Sequence, residues 1–163
     1  MSPRLLRLIP ACAALVACAV VPATASAAGK NVWRQTPTWN IAHQGGEDEF
    51  PSNTMFAFKR ALKAGADMLE LDIGVSKDGQ PIVMHDTTVE GKTNGTGEVQ
   101  SFTVKQLKKL DGAYWYSSTD GHYSHDKAAS AYTYRGIATG KRKPPKGYKR
   151  SDFQVTTLAE VMK

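Results

Sequence analysis

The sequence predicts an α/β fold built on one βαβ unit, and three stretches carry that expectation. Residues 38–42 (TWNIA) are a short apolar run consistent with a first strand. Residues 51–65 read as a helix. Pro51-Ser52-Asn53-Thr54 offers Ser52 or Asn53 as N-cap, Met55, Phe58 and Leu62 share a face, and Gly65 stops the helix as a C′ residue. From Met68 a second strand is signalled, because Leu69, Leu71 and Ile73 alternate with Met68, Glu70 and Asp72. A strand, a helix and a strand of these sizes are expected to place the two strands as parallel neighbours.

That topology turns separate residues into one candidate site. His43 ends the first strand ahead of Gln44-Gly45-Gly46, where glycines would let backbone approach a ligand closely. Glu47, Asp48 and Glu49 read as surface charges. Glu70 and Asp72 leave one face of the second strand, and parallel neighbours bring their ends to the same sheet edge. Carboxylates that point together repel unless a cation or a shared proton lies between them, and hard oxygen ligands suit Mg²⁺ or Ca²⁺. A histidine beside such a pair is a proton carrier near neutral pH. The second such histidine, His85, follows an Asp78-Gly79 pair, a strong hairpin signal. A two-residue loop would pair Lys77 with Gln80 and set Asp72 opposite His85. Alternatively, residues 81–84 form the next strand of a parallel barrel, and the same residues still meet at a C-terminal strand edge. Spacing leaves both arrangements open.

Further along, residues 87–97 are turn-rich, with Asn94-Gly95 and Gly97. Residues 103–110 read as a helix with a Thr103/Gln106 capping box and Val104, Leu107 and Leu110 facing inward. An insertion loop is expected over about 112–152, rich in Tyr, Ser and Gly and without a long periodic run. Its Tyr114, Trp115, Tyr116, Tyr132 and Tyr134 are expected to pack it onto the domain. His122 and His125 lack a third partner and read as surface residues. Thr157 and Glu160 form another capping box, so a helix is starting near residue 163, and the chain is expected to hold the N-terminal part of a larger domain.

Composition adds location and partners. The 163 residues fit one domain at a net charge of +6. Six of the 21 basic residues fall in residues 141–150 (KRKPPKGYKR), broken by Pro144, Pro145 and Gly147, which reads as an exposed loop. Its local field would suit an anionic surface such as lipid headgroups or a cell-wall polymer. Nucleic acid is not expected, since no recognition helix or aromatic-basic platform accompanies the cluster. Residues 1–27 read as a signal peptide, with Arg4 and Arg7, an apolar run over 9–22 and small residues at 23–27. The run is shorter than the ~20 residues a spanning helix needs. Leu15-Val16-Ala17-Cys18 also fits a bacterial lipoprotein box, which would leave Cys18 as a lipid anchor. The protein is therefore expected to be secreted, periplasmic or at the cell surface, with residues 28–37 as a leader. Both cysteines, Cys12 and Cys18, lie in the removable segment, so the core and a metal would supply stability without disulfides.

Taken in order, the motifs resemble those of the glycerophosphodiester phosphodiesterase family. The carriers are His43-Gln44-Gly45, Pro51-Ser52-Asn53-Thr54, Gly65-Ala66-Asp67 with Glu70-Leu71-Asp72, Lys77-Asp78-Gly79 and His85-Asp86. Residues 107–111 and 157–161 are similar to two downstream segments of the family, and the loop between them to an insertion in some bacterial members. The resemblance implies a TIM (β/α)₈ barrel of which the chain holds the N-terminal third to half. It also implies His43 and His85 as general acid and base, Glu70 and Asp72 as ligands of Ca²⁺ or Mg²⁺, and Gln44 against a small-molecule phosphodiester substrate. Products would be glycerol 3-phosphate and an alcohol. Gln44 stands where the family pattern has arginine, Ser52 where it has glutamate, and a third acidic ligand belongs to a later strand. A binding module for an anionic ligand, or an inactive remnant, is the alternative these departures suggest.

Overall fold

The computed structural model describes residues 38–163; the signal peptide, the Cys18 anchor and the leader expected over residues 1–37 lie outside the described residues. Strand β1 (Ile41–Ala42) pairs in parallel with β2 (Met68–Leu69), in the register Ile41 to Met68 and Ala42 to Leu69. Helix α1 (Met55–Lys63) makes the crossover, completing the expected βαβ unit. Its C-terminus closes as a Schellman motif, with Ala66 N–H on the Ala61 carbonyl and Gly65 N–H on that of Leu62. Gly65 takes φ +91°, a conformation that costs glycine little.

Two details of α1 differ from expectation. The N-cap is Thr54, whose Oγ1 accepts from Ala57 N–H at 3.1 Å, rather than Ser52 or Asn53. Asn53 lies at φ +57°, left-handed backbone that Asn tolerates, and its side chain is committed to Asp72. The buried face is Phe56, Ala57, Phe58 and Ala61, whereas Leu62 is 58% exposed. Phe56 is drawn inward by rings that arrive from elsewhere in the chain. It stacks on Phe153 at 4.5 Å and meets Tyr148 edge-on at 4.7 Å.

The second strand breaks after Leu69, because Glu70, Leu71 and Asp72 pass from one sheet to another. Strands β3 (Ile73–Val75), β4 (Pro81–Val83) and β5 (Thr156–Thr157) form an antiparallel sheet in the order β3-β4-β5. The hairpin is therefore real and the parallel-strand alternative for residues 81–84 is not adopted. Its register is one residue away from the two-residue loop. Ser76 pairs with Gln80 around a three-residue loop, and Met84 N–H bonds the Asp72 carbonyl at 3.0 Å, so Met84 rather than His85 lies opposite Asp72. The cause is the turn. Gly79 N–H bonds Ser76 O at 2.9 Å and Gly79 takes φ +73°, the turn-plus-left-handed-glycine geometry of a three-residue hairpin.

Helix α2 (Val104–Leu107) carries the expected capping box. Leu107 is fully buried there, with Val104 and Leu110 packed on a core of Ile82, Met84, Val89, Val99 and Val155. Helix α3 (Leu158–Val161) is capped by Thr157 and Glu160, and Glu160 pairs with Lys108 at 2.8 Å. Residues 112–152 pack around a second core of Phe56, Ala113, Ile137, Ala138 and Phe153. Asp111 anchors the stretch from within, its carboxylate accepting from Gly136 N–H at 2.6 Å and Ala113 N–H at 3.1 Å. Burial pushes its pKa up, against those hydrogen bonds. His122 and His125 are exposed, and His125 stacks on Trp115 at 4.1 Å. Among the described residues no helix is long and apolar enough to cross a membrane.

Candidate active site

The β1/β2 pairing brings the first two motifs together. Past the last paired residues, Glu70 N–H bonds Ala42 O at 3.0 Å, so the residue after each strand stays in step with its neighbour. His43 and Glu70 consequently face one another, with Nε2 of His43 3.8 Å from Oε2 of Glu70. The same Glu70 oxygen accepts from the Gln44 main-chain N–H at 2.8 Å. That N–H is aimed by Gln44's own backbone, at φ +49°. Gly45 follows at φ +81°, buried, where a Cβ would lie 2.8 Å from the Phe58 ring. Gly45 is required by close packing on α1.

Each candidate side chain is held by a partner. His43 is 62% exposed, and its Nδ1 sits 2.6 Å from Glu47 Oε1, which leaves Nε2 directed at Glu70. Asp72 Oδ2 accepts from Asn53 Nδ2 at 2.9 Å, and Asn53 N–H in turn bonds Gln44 O at 2.8 Å. His85, 58% exposed, contacts Asp86 Oδ1 through Nδ1 at 2.8 Å. The Asp86 hydrogen bond, then the field of Asp72, holds the His85 pKa above the ordinary imidazole value. The hydrogen bonds among described residues engage Glu70 Oε2 and Asp72 Oδ2, one oxygen of each carboxylate. No group of three or more His, Cys, Asp or Glu among the described residues is arranged to hold a metal ion.

Lys92 joins the arrangement through the Gln44 side chain although no motif pointed to it. Its ammonium donates to Ser52 Oγ at 2.8 Å and to Gln44 Oε1 at 3.1 Å, and lies 5.1 Å from the Tyr123 ring centre. Burial pulls its pKa down, and the fields of Asp86, Asp72 and Glu47 oppose that. The Gln44 side chain, expected to meet substrate, is 4% exposed and committed to this lysine.

The sequence model of the glycerophosphoryl diester phosphodiesterase family matches residues 43–163. The chain belongs to that family. A glycerophosphodiester phosphodiesterase of Caldanaerobacter subterraneus is 52% identical over 71 residues, covering 44% of this chain and 29% of the relative. One of Bacillus subtilis is 35% identical over 114 residues, covering 70% and 39%. Among solved structures, the glycerophosphoryl diester phosphodiesterase domain of a Mycobacterium tuberculosis protein aligns with a TM-score of 0.54 at 25% identity. That alignment covers 76% of this chain and 38% of the other. The chain thus spans about a third of the length of the family members it matches, and its βαβ unit and hairpin are part of a TIM-barrel architecture.

Within the family frame, the sequence singled out His43, Glu70, Asp72 and His85 but missed their supports. Glu47 was readable only as surface charge, although its i+4 spacing from His43 suits a helical turn. Asn53 fits a helix cap by local pattern, and Lys92 reaches residues 40 and 48 positions away, a distance no local pattern encodes.

Proposed function

We propose that these residues form the N-terminal part of a site that hydrolyses glycerophosphodiesters to glycerol 3-phosphate and an alcohol. The observation that carries the reading is the approach of His43 to Glu70 across parallel strands, with Asp72 and His85 electrostatically coupled beside them. Family members are generally metal-dependent. The donor set fits a hard divalent cation, Ca²⁺ or Mg²⁺. Glu70 and Asp72 each keep one carboxylate oxygen outside the hydrogen bonds, and Mg²⁺ is commonly held by one or two carboxylates with waters and substrate phosphate completing its shell. When bound, such an ion supplies neutralisation of phosphate charge.

Proton traffic falls to the histidines. The Asp86 hydrogen bond and then the field of Asp72 raise the His85 pKa and so favour its protonated form, which suits the acid that protonates the departing alkoxide as the P–O ester bond breaks. His43, its Nδ1 held by Glu47, presents Nε2 as the base that takes the proton of the attacking hydroxyl, from water directly or from the neighbouring glycerol, in which case water then opens the resulting cyclic phosphate to glycerol 3-phosphate. Release of glycerol 3-phosphate from glycerophosphocholine tests this. Turnover should need a divalent cation and fall at least ~100-fold in His43→Ala and in His85→Ala. Release that is unchanged in both variants contradicts the assignment.

The six basic residues of 141–150 are all exposed, which supports adsorption of an exported protein to anionic lipid or wall polymer. Replacing them with serine should abolish sedimentation with phosphatidylglycerol vesicles at low salt; undiminished sedimentation rules this surface out.

A further inference from the structure

We infer that Lys92 is the residue that grips the phosphate of the substrate, its ammonium donating to a non-bridging phosphate oxygen. The inference rests on the phosphodiester reading above and names a group that no motif supplies.

The first support is the state of the ammonium. Lys92 is largely enclosed, yet its two hydrogen-bond acceptors, Gln44 Oε1 and Ser52 Oγ, are both neutral. No carboxylate among the described residues forms an ion pair with it. An ammonium taken from water without a counter-ion is costly, and burial accordingly weakens its hold on the proton. A lysine has three donors, and these two contacts use two of them. A phosphate oxygen provides both the missing acceptor and the missing charge.

The second support is where the ammonium sits. Gln44 links Lys92 to the candidate centre, since Gln44 main-chain N–H bonds Glu70 while its side chain bonds Lys92. Asp86, Asp72 and Glu47, which support or form that centre, are the acids whose fields reach Lys92. Lys92 is therefore tied to the residues that face the phosphodiester without being neutralised by any of them.

The third is a correlation inside the sequence. Gln44 and Ser52, 8 positions apart in the first loop after β1, both present neutral oxygen acceptors, and Lys92 donates to both. Oxygen acceptors at both positions are what an ammonium between them requires. A guanidinium at 44 would instead face Lys92 with like charge.

The experiment titrates inorganic phosphate, and separately Ca²⁺, into the whole chain and into Lys92→Met and Lys92→Arg, with native folding of each checked by circular dichroism. The structure predicts that Lys92→Met binds phosphate about tenfold to a hundredfold more weakly, that Lys92→Arg retains most of the affinity, and that Ca²⁺ binding is unchanged in both. Equal phosphate affinity in wild type and a folded Lys92→Met overturns the role of Lys92 and leaves the hydrolytic reading standing if glycerophosphocholine is still cleaved. Failure of the wild-type chain to bind phosphate at all overturns the inference, and loss of glycerophosphocholine cleavage with it overturns the phosphodiester reading too. If Lys92→Met does not fold, Lys92→Arg decides. Loss of phosphate binding in a folded Lys92→Arg overturns the inference, since a second cation in place should serve.

Discussion

The segment from β1 to α2 and the stretch over 112–152 are stabilised in opposite ways. The first has strands of two or three residues, and its candidate site groups are exposed or half-exposed, positioned by polar contacts between neighbours: Glu47 on His43, Asn53 on Asp72, Asp86 on His85. The second holds no strand or α-helix and is stabilised by rings. Tyr116 and Tyr132 are buried, Phe153 stacks within reach of Tyr134, and the Arg135 guanidinium lies 3.7 Å from the Tyr132 ring centre and within 4.5 Å of those of Tyr114 and Trp115. Cation-π contacts of that kind replace regular hydrogen-bond ladders with packing. The lesson is a division of labour, in which an irregular apolar mass keeps a wet, polar site in shape. Phe56 on α1 and Phe153, the residue just past that stretch, are where the two meet.

Substitutions can break that comparison on either side. The largest effect is expected at the meeting point. Phe153→Ala should cost about 3–5 kcal/mol of stability in urea unfolding, because it empties a fully buried ring position against Phe56. A loss under 1 kcal/mol would mean the insertion does not brace α1. On the polar side, Asn53→Ala should lower divalent-ion affinity by about 10- to 100-fold with little change in melting temperature, since it frees Asp72 to turn away. Calorimetry that finds affinity intact would show that Asp72 needs no support.

Gly45→Ala tests the junction between loop and helix. It should destabilise by about 1–2 kcal/mol, through left-handed backbone and contact with the Phe58 ring, and a neutral result would show that the loop can shift. The smallest effect belongs to Asp86→Asn. The Asp86 bond raises the His85 pKa, so its stabilisation is present below the ordinary imidazole value and disappears as pH rises through the raised one. With His85 58% exposed, that contribution to folding is slight. The readout is instead the imidazole titration by NMR, whose midpoint should move to lower pH in Asp86→Asn; no movement would remove the basis for His85 as the acid.

How much of this was legible follows the range of each interaction. The βαβ unit could be read because periodicity and the Gly65 stop are local, and adjacency of His43 and Glu70 followed from topology. The hairpin could be recognised from Asp78-Gly79, but its register turned on Gly79 adopting left-handed backbone in a three-residue loop, which the dipeptide alone does not specify. The helix cap moved to Thr54 because Asn53 was claimed by Asp72, a contact 19 residues away. Lys92 lay in a turn-rich stretch with no periodicity, and its meaning came only from Gln44 and Ser52 folding over it.

The central claim is that Glu70 and Asp72 act together as ligands of a divalent ion beside His43. Calcium titration of the wild-type chain, Glu70→Ala and Asp72→Ala by calorimetry tests it most directly. The account predicts saturable binding to wild type that each variant weakens at least ~10-fold while its circular dichroism stays native. Binding of equal strength in all three would contradict it.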